Sequence, residues 1–286
     1  MLGIKNIRSK ISSIKNIQKI TKAMEMVASS KIVKVQNRIA ISRPYSNAIQ
    51  KLINNLLSSE LEYKISYFDQ RNVYNVAFLI ISSDKGLCGA LNINLFKIAL
   101  MKMKRLSDKN IKIHLLLIGS KAVSFFNKIN SNIISQIINI GYDFNLSELF
   151  GMIQIIIQLY DNQSIDKLYI VYNYNVNTLI QKPLITQILP ILNKNINFQK
   201  KYLNYLYESE PKELLNIIVH RYLESQIYLC VLENLLSEYS ARVVTMKNAT
   251  DNSTKLIKEL QLVYNKTRQY NITQELIEII FGASAI

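Results

Sequence analysis

The sequence predicts an α/β fold in which a central domain of alternating strands and helices is inserted between two long terminal helices that pair as an antiparallel coiled coil. Three observations carry this expectation. Five of the seven glycines fall between 86 and 151, while 4–85 and 152–281 contain none, and long stretches without glycine suit long helices. Apolar residues recur every three to four positions at both ends of the chain, as on one face of a helix. Between those ends, short apolar runs alternate with helical patterns, which means βαβ units and a largely parallel sheet.

At the N-terminal end the stripe runs Ile4, Ile7, Ile11, Ile14, Ile17, Ile20, Met24, Val27, Val35 and Ile39, continuing weakly to Leu56. Pro44 interrupts it, at a point where an interior proline breaks or kinks a helix. Helix over residues 4–57 would run ~80 Å at ~1.5 Å per residue. At the other end Pro211 stands where a helix can begin, since its missing N–H would be unpaired in the first turn. A second stripe follows through Leu215, Ile218, Tyr222, Leu229, Leu232, Leu236, Tyr239, Val243, Met246, Ile257, Leu260, Tyr264 and Ile279. NATDNSTK, 248–255, is nearly devoid of apolar side chains; it reads either as a loop between two helices or as helix with no core behind it. Burying both stripes is simplest if the two ends meet as an antiparallel pair.

In the middle, VAFLIIS (76–82), KIHLLLIG (112–119), IISQIINI (133–140) and KLYIVYNY (167–174) read as strands, and 95–106, 120–129 and 146–160 as helices. The alternation predicts a Rossmann-like α/β domain. The parts are therefore 1–57, an N-terminal coiled-coil helix; 58–211, the α/β domain; and 212–286, a C-terminal coiled-coil helix.

Composition limits what such a chain can do. With 286 residues, 49% hydrophobic and 19% charged, it has ample apolar matter for a core, and wholesale disorder is excluded. Net charge is +15, which brings an acidic protein, a polyanion or an anionic membrane into consideration as partner without choosing among them. Residues 1–57 hold eleven Lys and Arg against Glu25 alone, whereas 212–286 balance eight against eight. Two-thirds of the excess therefore sits on one terminal helix. Cys88 and Cys230 are too far apart and too few for a disulfide framework. The opening MLGIKNIRSK lacks the apolar segment of a secretory signal, and no uncharged apolar run reaches the ~18 residues of a membrane span.

No catalytic or metal constellation is apparent. SSDKGLCGALNIN, 82–94, follows a strand and opens a helix, where phosphate loops occur, but it lacks G-x-x-x-x-G-K-[ST]. It reads as a tight structural turn and gives no cofactor site. His114 and His220 have no second ligand at metal spacing, and Cys88 has no evident activating base. Two further classes stay open from the residues alone: a basic coiled-coil module binding nucleic acid or anionic membrane, and an α/β NTPase with helical arms.

IRSKISSIKNIQKITKAMEMVASSK (7–31), SDKGLCGALNINLF (83–96) and KELQLVYNKTRQYNITQELIEIIFGASA (258–285) together resemble the γ subunit of F-type ATP synthase, of the bacterial type, along essentially the whole chain. The resemblance implies a non-catalytic central shaft, one copy per complex, without nucleotide, nucleic acid or inserted membrane segment. It turns inside a ring of α and β subunits, and its globular part sits on the membrane c-ring with the ε subunit. It implies a peripheral place on the cytoplasmic face of the bacterial inner membrane, and a part in hydrogen ion transport and ATP synthesis. Carried over onto this chain, Lys22 and Met24 match the β contact on the N-terminal helix, with Lys19, Lys31 and Lys34 placed to meet an acidic β loop. Arg268 and Gln269 match the β contact on the C-terminal helix. Tyr205, Tyr207 and Glu208 match the foot that meets the rotor ring and ε. Met24 also falls on the seam, so packing within the pair is a second reading.

Overall fold

The computed structural model describes residues 4–58, 67–68, 71–129, 131–141, 143–191 and 211–284. Its elements are α1 (Ile4–Ser58), β1 (Asn75–Ile81), α2 (Leu91–Ser107), β2 (Lys112–Ile118), α3 (Ser120–Phe126), β3 (Ile133–Ile137), α4 (Ser147–Asp161), β4 (Lys167–Asn175), β5 (Gln181–Leu189) and α5 (Pro211–Ser284). The chain divides into two compact units: Met1–Ser29 with Arg242–Ile286, and Ser30–Ala241.

The larger unit holds a five-stranded sheet of order β3-β2-β1-β4-β5. β1 pairs in parallel with β2 and β4, β2 with β3, and β4 runs antiparallel to β5. Alternation of strand and helix thus produced the parallel sheet it implies. β5 was not foreseen: its run QKPLITQIL carries Pro183, and a proline argues against a ladder strand except at an edge. Here β5 is the edge, and Pro183 lies opposite Asn173, whose own N–H and carbonyl are bonded to α5 instead.

The central strand β1 is buried on both sides except at Asn75, as a parallel strand covered by helices should be. Val76, Phe78 and Ile80 pack with Leu95, Phe96 and Ala99 of α2, with Leu115 and Leu117 of β2, and with Ala122 and Phe126 of α3. Phe96 stacks on Phe125 at 4.7 Å between centroids and meets Phe126 edge-on, geometries that add to plain area burial. Tyr67 is tied to α4 by a 2.6 Å hydrogen bond from its hydroxyl to Asp161 and by stacking on Tyr160.

Helix α1 continues through Pro44 to Ser58. Arg43, Pro44 and Tyr45 are exposed, so the missing hydrogen bond falls on the water-facing side. In this unit α1 and α5 are joined by Arg43 Nη2 donating to Glu233 at 2.8 Å, by Arg38 donating to the Tyr228 hydroxyl at 3.0 Å, and by Gln226 donating to Ser46 at 2.8 Å. Lys31 of α1 lies over Tyr239, Arg38 bonds Tyr228 and Ser46 bonds Gln226, rising numbers on one helix against falling numbers on the other, so the helices are antiparallel. Arg38 also reaches the Phe144 carbonyl and lies 5.3 Å over the Phe144 ring, pinning the loop before α4.

Candidate partner-contact surface

In the smaller unit the two helices are again antiparallel. Gln18 Nε2 donates to Thr254 Oγ1 at 2.8 Å, and the Thr21 and Thr250 hydroxyls are 2.8 Å apart. Along α1 the less exposed positions are Ile4, Ile7, Ile11, Ile14, Gln18, Thr21, Met24, Glu25 and Ala28; all but Met24 alternate by three and four as a heptad seam does. On α5 they include Met246, Thr250, Ser253, Thr254, Ile257, Leu260, Tyr264 and Thr267. Residues 248–255 are therefore helical, and they do have a partner surface: it is polar.

This corrects the stripe read from sequence. After Ile14 the apolar residues leave the seam, with Ile17 at 52%, Ile20 at 59% and Val27 at 56% relative exposure. Ile279 is likewise exposed. A period near 3.5 admits a stripe one residue out of phase, and choosing the most apolar residue at each step follows Ile17 and Ile20 rather than Gln18 and Thr21.

Lys22 is exposed and pairs with Glu25 at 3.1 Å. Lys15 and Lys19 line a shallow groove with Lys258, Gln18, Thr254, Ile257 and Gln261. At about 100° per residue, Lys15, Lys19 and Lys22 share one side of α1, while Met24 lies about 200° from Lys22 on nearly the opposite side. Met24 is half-buried beside the seam. Arg268 and Gln269 are exposed on α5. In the larger unit Lys34 is exposed, whereas Lys31 is half-buried with its ammonium 5.6 Å over the Tyr239 ring. Lys31 thus packs within the fold as much as it faces outward. Tyr205, Tyr207 and Glu208 lie outside the described residues.

The turn after β1 is closed by its own side chains. Asp84 Oδ1 accepts from the Ser120 amide and hydroxyl, both at 2.8 Å, and from the Asn139 amide at 3.0 Å. A carboxylate therefore already occupies the N-terminus of α3, where an anion would otherwise be attracted. Gly119 is required there: its φ is +98°, and a Cβ would come within 2.5 Å of the Ser82 carbonyl oxygen.

The crevice where a doubly wound sheet takes ligands lies at the carboxyl ends of the strands, where strand order reverses; here that is between β1 and β4. Pairing of these strands stops at Ile80 with Val171. Two residues on, the free edge of β4 is taken by α5: Asn234 Oδ1 accepts from the Asn173 amide at 3.1 Å and from its Nδ2 at 3.0 Å, and Ser237 Oγ donates to the Asn173 carbonyl at 2.9 Å. Asn234 and Ser237 are fully buried, and Ala241 packs on Cys88 of the turn and Leu91 of α2. The helix fills the place a nucleotide would need, a feature no local motif announces.

Burial, and secondarily Lys112, lowers the pKa of His114, which meets Asn132 at 3.0 Å. His220 packs edge-on to Tyr67, and both cysteines are buried. Tyr222 is pushed up to about 12, chiefly by burial. Among the described residues no cluster of three His, Cys, Asp or Glu could hold a metal, and no helix is long and apolar enough to cross a membrane.

Comparison with known proteins agrees with this arrangement. The rotor of the Euglena gracilis mitochondrial ATP synthase, in rotational state 1, matches with TM-score 0.67 at 21% identity over 94% of this chain and 98% of that one. A chain of the OSCP/F1/c-ring structure from the same organism matches with TM-score 0.70 at 24% identity over 99% and 94%. The central stalk/c-ring structure of the Tetrahymena thermophila enzyme matches with TM-score 0.61 at 26% identity over 80% and 99%. A family model described as ATP synthase matches residues 3–286. With helices paired at both ends, a plugged crevice and that family match, the chain belongs to the ATP synthase γ-subunit family, whose member is the non-catalytic central shaft of the complex.

Proposed function

We propose that the paired ends of this chain turn inside a ring of α and β subunits, one copy per complex, while residues 58–211 ride with the ε subunit on the membrane c-ring. Residues 1–57 and 212–286 are the coiled-coil arms in this reading. Proton-driven rotation of the ring then turns the shaft, and the β subunits pass in sequence through the states that make ATP. The place of action is the cytoplasmic face of a bacterial inner membrane, held peripherally by partners. The c-ring and F1 named with the Euglena and Tetrahymena stalk chains support these partners.

The observation that carries the mechanism is the paired unit itself, whose sides differ in chemistry. A symmetric rod would present the same surface to every site and drive none. Taking a site from 1:99 to 99:1 needs about 5.5 kcal/mol of differential interaction, so unlike faces are required. Lys15, Lys19 and Lys22 make one side cationic, Ile17, Ile20 and Val27 make another apolar, and the C-terminal segment 212–286 is neutral overall. An acidic β loop would discriminate the first side from the others. Lys22 and Met24 on α1, and Arg268 and Gln269 on α5, are the residues we assign to β. Tyr205, Tyr207 and Glu208 are assigned to the foot on the rotor ring and ε.

The test is reconstitution with the chain's own α and β subunits. ATPase activity of the assembly should require this chain, and cysteines at Met24 and Arg268 should cross-link to β. An assembly whose hydrolysis is indifferent to the chain would overturn the reading.

A further inference from the structure

The smaller unit buries the Thr21 hydroxyl and half-buries Gln18, Thr250 and Thr254 where it has isoleucines to spare. Ile17, Ile20, Met24 and Val27 form a series spaced three, four and three, one residue behind Gln18, Thr21, Glu25 and Ala28. One residue is about 100° of rotation. A local overwinding of α1 by a three-residue step after Ile14 would bring the isoleucines against α5 and turn the polar set to water. Hydrophobic burial favours that state, yet the structure adopts the other, with Ile17 and Ile20 more than half exposed and Thr21 buried.

What opposes the slip is a hydrogen-bonded layer. Thr21 and Thr250 share a bond at 2.8 Å, Gln18 donates to Thr254 at 2.8 Å, and Thr250 and Thr254 donate to the carbonyls of Met246 and Thr250. Against an apolar α1 face the Thr250 and Thr254 hydroxyls would keep their bonds to their own helix but lose both cross-helix bonds, Gln18 to Thr254 and Thr21 to Thr250, and that loss favours the observed phase. Buried polar pairs are best known for setting the phase of paired helices rather than for adding stability. We infer that the Gln18–Thr254 and Thr21–Thr250 pairs are a phase lock: they hold residues 17–28 of α1 in step with the flanking seam and keep Ile17, Ile20 and Val27 facing outward. The lock belongs to the chain itself and does not depend on the assembly proposed above.

The experiment uses the full-length chain with Ile20→Cys as reporter, Cys88 and Cys230 being buried, and measures the rate of maleimide labelling. With the lock intact the rate is that of an exposed thiol. Thr250→Val with Thr254→Val makes the α5 face apolar, and labelling falls tenfold or more as residue 20 turns inward; adding Gln18→Leu and Thr21→Val restores the fast rate. Unchanged labelling in the Thr250→Val, Thr254→Val chain, with helix content retained by far-UV circular dichroism, overturns the inference. If that chain loses helix, Thr250→Val alone is measured, with protection at residue 20 expected and unchanged labelling again overturning it.

Discussion

Arg43→Ala and Glu233→Gln remove opposite partners of one ion pair, and they should have very different consequences. The Glu233 side chain is 7% exposed and that of Arg43 53%, with 2.8 Å between them. Burial raises the Glu233 pKa from its ordinary 4.5, and Arg43 pulls it back down. Because the folded state holds this proton more tightly than the unfolded chain does, the group's contribution to stability is greatest below pH 4.5 and declines as pH rises through the folded value. Arg43→Ala leaves a buried carboxylate without its cation. Breaking a fully buried pair costs about 3–5 kcal/mol, whereas exposed pairs are worth about 0–1 kcal/mol. With one partner half in water, about 2 kcal/mol at pH 7 is the expected loss. Protonating Glu233 relieves it, so the loss shrinks toward pH 5. Glu233→Gln keeps the volume, removes the buried charge and lets Arg43 turn to solvent, so stability changes by less than about 0.5 kcal/mol or rises. Urea unfolding of the full chain at pH 7 and pH 5 reads this: 2 kcal/mol moves the midpoint by about 1 M for a slope of about 2 kcal/mol/M. Equal losses for the two variants, or a pH-independent loss for Arg43→Ala, would refute the assignment of the penalty to a stranded carboxylate.

Other substitutions test the turn, the crevice and the proposed β contacts. Gly119→Ala forces a Cβ against the backbone of Ser82 at a φ that side chains disfavour, and should lower stability by about 3 kcal/mol; an unmoved urea midpoint would contradict this. Asn234→Leu leaves the Asn173 amide and side-chain N–H groups without an acceptor. A loss of about 2–4 kcal/mol is expected, with faster hydrogen exchange at Asn173, and retained protection there would show that another group takes over. Lys22→Glu with Arg268→Glu changes exposed positions and breaks one surface pair, Lys22 with Glu25, so the isolated chain should keep its stability within about 1 kcal/mol while coupled ATP synthesis in the reconstituted complex drops; full coupling would remove both residues from the proposed contact.

The elements that local order can dictate were legible in the residues. Strand runs such as VAFLII and HLLLI, the helix start at Pro211, and the glycine-free flanks all describe a segment's own periodicity, and the structure bears them out within a few positions. β5 was lost because Pro183 is excluded from a strand only if the ladder needs its N–H, and whether it does depends on where Asn173 points its own. The resemblance in 7–31 and 258–285 placed Lys22, Met24, Arg268 and Gln269 on the terminal helices, but not around them: Lys22 and Met24, two residues apart, face nearly opposite ways.

What the sequence determined by itself was therefore the kind and order of the elements, because helix and strand formation depend on neighbours one to four residues away. Two decisions belonged to the tertiary structure alone. Which side of α1 faces α5 was settled by hydroxyls of residues 21 and 250, meeting across 229 positions of chain, against the more apolar alternative. Whether the sheet offers a ligand crevice was settled by Asn234 reaching Asn173 across 61 positions. In both cases a polar group's need for a partner under burial outweighs the local preference, and that partner exists only once the chain has folded.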